Sequence, residues 1–374
     1  MIHNAFGLIY AGDDNRLMKD LTLSRSVAAL PVGSRYRCID FILSSLVNSG
    51  INSVGVIAAK NYHSLMDHLG SGKEWDLHRK REGLFVLPPF MTKDSTGMFL
   101  GTVGALRSAL GYVRRAPKDY CILCTARTVL NIDFSGIVEA HAASGADITM
   151  LFHRGAPDTC AEMGKDLRLI MDETGRVTEM ELDPYRPRSD CRCLDIMVMN
   201  KELLKYLVEE AYARGEYDFK RDVILKRCAS LKIMGFEHKG FCQRIDSVEN
   251  YFAANMALLE PEVRKELFDP EFPIYTKVKD EMPSRYGKGA KAKNSLIADG
   301  CVIEGQVENS VLFRGVTVEK GTVVKNSIVM QGVTLAEGVS LDHVILDKGV
   351  TITAGRTLIG YDNFPIIIRK NMTI

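Results

Sequence analysis

"LIYAGDDNRLMKDL", residues 8–21, carries an apolar strand into a short glycine-containing turn and then an Arg-Leu pair. That is the layout of a loop that wraps a triphosphate, because glycine lets backbone N–H groups come close to phosphate oxygens. The tip of this turn, however, holds Asp13 and Asp14. Like charges about 4 Å apart repel by on the order of 4 kcal/mol at an effective dielectric near 20. The loop has the shape of a phosphate site and the wrong charge for one.

Working outward, further short apolar runs follow: "SVGVIAA", "YCILCTA", "DITMLFH" and "LDIMVMN". Helical patterns separate several of them, at residues 41–49, 103–113 and 134–143. Strand–helix alternation predicts an α/β domain with a mainly parallel sheet covered on both faces. Ligands of such sheets bind outside the carboxyl ends of the strands, where the loop at Gly12 falls. "DETGRVTEM", residues 172–180, predicts an added hairpin.

The tail has another texture. Val, Ile and Leu recur every few residues with glycine between, and Asn-Ser pairs begin at 294, 309 and 326, with Asp342-His343 next. The steps of 15, 17 and 16 residues predict stacked β-helix coils, since one coil cannot bury its own apolar face. The organisation expected is an α/β domain over 1–250, a Pro-, Gly- and Lys-rich linker over 251–293 and a β-helix over 294–374.

Composition excludes several classes. The chain has 374 residues, 46% of them hydrophobic and 25% charged, and a net charge of +1, which points to neither nucleic acid nor an acidic membrane surface as partner. No apolar run approaches the roughly 18–20 residues of a membrane span, and the N-terminus lacks the basic region of a signal peptide. Nine scattered cysteines fit a reducing cytoplasm. Cys121 and Cys124 have C-x-x-C spacing but sit in a strand pattern that sends them to opposite faces, so buried thiols are expected there, not a metal or redox pair. His63, His68 and His78 are not spaced as a metal site, "HRKR" at 78–81 reads as a solvated loop, and Trp75 has no assigned role.

Together these residues resemble the ADP-glucose pyrophosphorylase (glucose-1-phosphate adenylyltransferase) family over essentially the whole chain. "AGDDNRL" stands where that family has G-G-x-G-x-R-L. "GSRYRCIDFILSSLVNSGI" (residues 33–51) resembles its G-G-K-[YF]-R-[IL]-I-D-F block, and "MFLGTVGAL" resembles W-Y-x-G-T-A-x-A. The resemblance implies a Rossmann-like, mixed-sheet nucleotidyltransferase domain followed by a left-handed parallel β-helix. It also implies ADP-glucose synthesis from ATP and glucose 1-phosphate in glycogen or starch formation, a tetramer, and Mg²⁺ held by carboxylates.

The positions that would carry that chemistry are altered. Of the three loop glycines, matched by Ala11, Gly12 and Asp14, only Gly12 remains; Asn15 and Arg16 follow it. The two metal-carboxylate positions fall on Arg127, in "ARTVLNID", and Arg244, in "QRIDSVENY". Arginine offers donors only and cannot ligate Mg²⁺. The lysine that holds the sugar phosphate becomes Asp183. The pair lining the hexose becomes Asp166-Leu167, a strand glycine becomes Asp195, and the nucleotide-end lysine becomes Val27. The aromatic pair becomes Met98-Phe99, leaving Phe99 to stack on a base beside Gly101 and Thr102. Scaffold kept and chemistry replaced resembles the non-catalytic, regulatory subunit that some bacteria pair with a catalytic one in a heterotetramer. No catalytic residue and no metal site is then expected in this chain, and Mg²⁺ belongs to the catalytic partner. Self-assembly of the chain alone is a second arrangement.

Other readings stand beside this one. The chain as an active nucleotidyltransferase needs shifted metal ligands, for which Asp13, Asp14 and Asp183 are the carboxylates at hand, or Asp246 in a shifted register. A β-helix acyltransferase would use His343, the repeat region's single histidine, which also reads as a surface or cap residue. Arg16, Arg25, Arg35, Arg37, Arg127 and Arg244 gather guanidinium groups for a nucleotide or sugar-phosphate effector. Alternatively Arg127 and Arg244 pair with Asp13, Asp14, Asp183 and Asp195 and close the old site from within.

Overall fold

The computed structural model describes residues 4–12, 16–79, 82–89, 91–92, 95–96, 99–155 and 166–374. Asp13, Asp14, Asn15 and Met98 lie outside the described residues. Nine strands form the central sheet: β1 Ala5–Ala11, β2 Ser53–Ala58, β3 Gly83–Leu87, β4 Tyr120–Thr125, β5 Ile148–Arg154, β6 Leu167–Met171, β7 Val177–Leu182, β8 Cys191–Asn200 and β9 Ile233–Glu237. Their order is β7-β6-β8-β4-β1-β2-β3, with β5 against β8 and β9 against β5. β3, β2, β1 and β4 run parallel, and β8 enters antiparallel to β4 and to β5, making the sheet mixed.

Alternation along the strands explains the layering. Phe6, Leu8, Cys121 and Leu123 pack into one core with helices α3 (Gly101–Arg115) and α5 (Lys201–Ala213). Ala5, Ile9, Ile122 and Cys124 face the other core, with α1 (Cys38–Asn48) and α4 (Ser135–Ser144). Cys121 and Cys124 therefore lie on opposite faces, as a period of two demands. α1 buries Ile39, Phe41, Ile42, Leu43 and Leu46, each stabilising by roughly 1.5–3 kcal/mol. Its start is fixed by Asp40, which accepts from the Arg37 backbone N–H at 2.9 Å and lies 2.6 Å from His68 Nε2 of α2 (His63–Leu69). His68 is thus a buried structural partner, and Trp75 packs edge-on against it.

The linker expected over 251–293 is helical at its start and part of the coils at its end, and its middle, residues 268–284, is without helix or strand. Two helices, α6 (Val248–Ala257) and α7 (Pro261–Leu267), fill its first part. α6 buries Tyr251, Phe252 and Ala254 in a core shared with Val311, Phe313, Ile328, Met330 and Ile345 of the tail. The tail's first coil begins at Arg285–Tyr286, not at residue 294. Its strands Arg285–Tyr286 and Lys291–Lys293 are exposed and charged, so they lack the apolar signature of later coils.

From there the chain winds through three five-stranded parallel sheets. Val318, Leu335 and Ile352 stack in one column of the interior and Leu312, Val329 and Leu346 in another. The Asn-Ser repeat has a backbone cause. Asn294, Asn309 and Asn326 sit at φ of 41–45°, a left-handed corner that asparagine tolerates. Ser295, Ser310 and Ser327 each accept from the backbone N–H one coil further on, at 3.1–3.2 Å. His343, at φ 53°, holds the next corner. The asparagine position therefore continues to His343 and not to Asp342, and that last step is 17 residues, not 16. Among the described residues no helix is long and apolar enough to cross a membrane.

Candidate functional site

A cavity of about 1170 Å³ opens at the carboxyl ends of β1, β2 and β4, where antiparallel β8 contributes Asp195 and Met197. Gly12, Arg16, Phe99, Gly101, Thr102 and Arg127 all line it, so the structure brings together six of the residues read from sequence. Gly12 is needed: a Cβ there would stand 2.6 Å from Ala59 Cβ and 2.8 Å from the Tyr10 ring. Gly101 is needed too, at φ +70° with Tyr217 O only 2.3 Å from where a Cβ would be. Thr102 Oγ1 accepts from the Phe219 N–H at 2.7 Å, joining the start of α3 to the 217–221 segment.

The inner wall is charged. A short antiparallel ribbon pairs Cys242–Arg244 with Thr128–Leu130, and the Ile245 N–H donates to Arg127 O at 2.7 Å. This ribbon sets Arg127 and Arg244 side by side. Between them lies Asp195, on β8 at φ +59°, in a backbone conformation glycine would take more easily. Arg127 donates to Asp195, Lys220 Nζ lies 2.7 Å from it and Arg244 3.3 Å. Burial alone would push the Asp195 carboxyl up. Lys220, Arg244 and Arg127 outweigh it and hold the group well below the usual carboxylate range. The network continues from Arg244 to Asp246 at 3.2 Å, from Asp246 to Arg192 at 3.4 Å, and from Arg192 to Asp166 at 2.8 Å.

Three expectations are corrected here. Arg25, Arg35 and Arg37 do not line this cavity. The chain leaves the loop through a buried strap at Met18 and Leu21, after which Arg25 binds Asp347 of the tail, Arg35 lines a groove beside the coils and Arg37 donates to Ser64 of α2. Asp183 joins neither arginine; it sits at φ +51° and accepts from the Asp166 N–H, closing the end of the β6–β7 hairpin. The ion pairs do not shut the cavity either, since they occupy its inner wall and leave the space in front of Phe99 and Tyr10 open. Asp246, the carboxylate offered for a shifted register, is engaged by Arg244, Arg192 and Asn250. At Arg127 and Arg244, where the resemblance implies metal carboxylates, the side chains offer donors only, which does not fit Mg²⁺.

A second cationic place lies between the α/β domain and the coils. Arg35, Arg37, Lys277, Lys279, Arg314 and Lys348 line a shallow groove there. Burial, with Arg37 and Arg25 nearby, pushes the Lys348 ammonium down to about 7. Beside it Arg25 Nη2 binds both oxygens of Asp347, at 2.7 and 2.8 Å, each side chain 3% exposed. His343 is held between Asp342 and Asp362 and packs near the Phe252 ring of α6, which makes it an interdomain contact.

Sequence reading missed Lys220, with its neighbours Tyr217, Asp218 and Phe219. The available signal was Asp218 as a helix cap, its carboxylate accepting from the Lys220 and Arg221 N–H groups. Lys277, Lys279, Arg314 and Lys348 come from four separate positions and gave none.

With this geometry, comparison with known proteins is informative. Residues 7–256 match the nucleotidyl transferase family, and residues 280–364 match a GlmU-like C-terminal hexapeptide region. The chain belongs to the nucleotidyl transferase family, in the group formed by glucose-1-phosphate adenylyltransferases and GlgD proteins, and its coils are a left-handed β-helix. "Glycogen biosynthesis protein GlgD" of Geobacillus stearothermophilus is 40% identical over 324 residues, 87% of this chain and 84% of the relative. The protein of the same name from Bacillus subtilis (strain 168) is 38% identical over 310 residues, 82% and 79% of the two chains. A glucose-1-phosphate adenylyltransferase of Thermotoga neapolitana is 32% identical over 326 residues, 86% and 76%.

Proposed function

We propose that this chain is a regulatory, catalytically impaired subunit of a bacterial glucose-1-phosphate adenylyltransferase, acting in glycogen biosynthesis in the cytoplasm by assembling with a catalytic subunit. The observation that carries the reading is the Asp195 cluster. Two arginines stand where the resemblance calls for metal carboxylates, and a buried carboxylate fixes both. A guanidinium so placed neutralises an anion but supplies no Lewis acid and no ligand to one. The GlgD relatives, named for glycogen biosynthesis, support the pathway; the β-helix and the sheet edge are the surfaces available for a heterotetramer. The alternative, an active enzyme with shifted ligands, loses Asp183 and Asp246 to internal bonds.

A nucleotide or sugar phosphate acting as an effector has two places to bind: the open cavity and the six-cation groove. The groove is favoured for a small phosphate because six cations converge on it and no carboxylate is among its lining residues, although Asp67, Asp347 and Glu281 stand behind Lys277, Lys348 and Arg314. The test is direct. The purified chain should form negligible ADP-glucose from ATP and glucose 1-phosphate, and mixing with a catalytic subunit should give a complex by mass and change its activity or effector response. Turnover by the chain alone at ordinary enzyme rates overturns the proposal.

A further inference from the structure

The 16–25 segment joins the two domains at the cavity mouth. Arg16, Lys19, Asp20, Thr22 and Leu23 line the cavity, while Met18 and Leu21 between them are buried in the core shared with the coils. Within it Lys19 has φ 46° and ψ −127°, a conformation that essentially only glycine adopts without strain. Such a residue persists only when its surroundings hold it.

The holders come mainly from the last coil. The strand Ile366–Ile368 follows a tight hairpin closed by reciprocal Tyr361 and Phe364 backbone bonds at 3.2 and 2.9 Å. Phe364 presents its ring 5.0 Å from Lys19 Nζ, and Arg369 binds Asp20 at 2.8 Å. Glu249 of α6 lies 3.9 Å from the same ammonium. On the opposite side Asn61 donates to Thr22 O and Leu23 O at 3.1 Å each. Thus the coil grips Lys19 and Asp20, two residues of a strained segment that also line the cavity.

We propose that residues 16–25 are a loaded strap, through which the last β-helix coil sets the shape of the cavity mouth. Loosening the coil contacts lets Lys19 relax, and the wall formed by Lys19, Asp20 and Leu23 moves with it. A partner or ligand that touches the 360–369 hairpin therefore acts on the cavity without entering it. The strap works in this way whichever ligand the cavity takes.

The test uses the full chain and side chains that are mostly exposed. Phe364→Ala with Arg369→Ala should speed amide hydrogen exchange in residues 17–24 by about tenfold or more, with amides of β1 unchanged. Lys19→Gly should raise the unfolding midpoint relative to Lys19→Ala, which deletes the same side-chain contacts and keeps the strain, and should shrink the response to the double substitution to about twofold or less while Lys19→Ala keeps a larger one. Unchanged exchange in the double variant overturns the proposal. So does a response that is equally large with glycine at position 19, because the contacts would then act without any stored strain.

Discussion

Replacing Asp195 by Asn keeps the volume of the side chain and deletes its charge, leaving Arg127, Arg244 and Lys220 facing one another. Asp195 is 4% exposed, and Arg127 and Arg244 are 6% and 3% exposed, so water replaces little of what is lost. Removing one partner of a buried ion pair costs about 3–5 kcal/mol, because the remaining charge stays buried. At about 2–4 °C per kcal/mol for a domain of this size, the melting temperature should fall by roughly 6–20 °C. The pH dependence has a defined sign. Folding depresses the Asp195 carboxyl, so its contribution is complete above the ordinary value near 3.9 and disappears as pH falls through the folded value. Asp195→Asn should therefore lose most stability at neutral pH and least in acid. Urea titrations at pH 7 and at steps down to about pH 2 read both effects, since the folded value lies well below the ordinary one. A loss under about 1 kcal/mol at pH 7 would show that the cluster is solvated and does not organise the inner wall.

Other expectations follow from the same geometry. Asp347→Asn breaks the buried pair with Arg25 and should cost about 3 kcal/mol or more, read as a lower urea midpoint. Gly12→Ala should destabilise by about 1–3 kcal/mol by thermal unfolding, because its Cβ meets Ala59 and Tyr10. Burial pushes the Lys348 ammonium down to about 7, so sulfate, a dianion throughout this range, should bind the groove more tightly at pH 6 than at pH 8; calorimetry should show this slope flattened in Lys348→Met. With its folded value below the ordinary one near 10.4, Lys348 should also make the protein more stable as pH rises from 7 towards 10, an effect absent from Lys348→Met.

Much of the fold was legible because periodicity reports burial. The parallel strands, the cover helices and the coils all carry long apolar patterns. The first coil was not legible, since Arg285–Tyr286 and Lys291–Lys293 point charged or exposed side chains outward while only their backbones join the ladder. In the site, the cavity members that sit on motifs were found: Gly12, Phe99, Gly101 and Thr102. The charge replacements were also visible, but their pairing was only half readable. Asp195 could be matched to Arg127 and Arg244 by sign, whereas Lys220 enters from a helix remote in sequence, and Asp183 is spent on a hairpin end. Arg25, Arg35 and Arg37 follow the loop in sequence and look like phosphate ligands, yet the strap turns Arg25 and Arg35 towards the coils and Arg37 to Ser64 of α2. Sequence spacing shows neighbours along a chain and does not reveal a turn whose cause is a distant packing partner.

The most direct measurement is ADP-glucose formation from ATP, glucose 1-phosphate and Mg²⁺ by the purified chain alone, repeated with a catalytic subunit added. A regulatory subunit gives no turnover above background alone, and with the partner it shifts rate or effector response beyond the partner's own. Turnover of the chain alone at ordinary enzyme rates, abolished by chelating Mg²⁺, would contradict an inner wall in which Asp195 fixes arginines where metal carboxylates would stand.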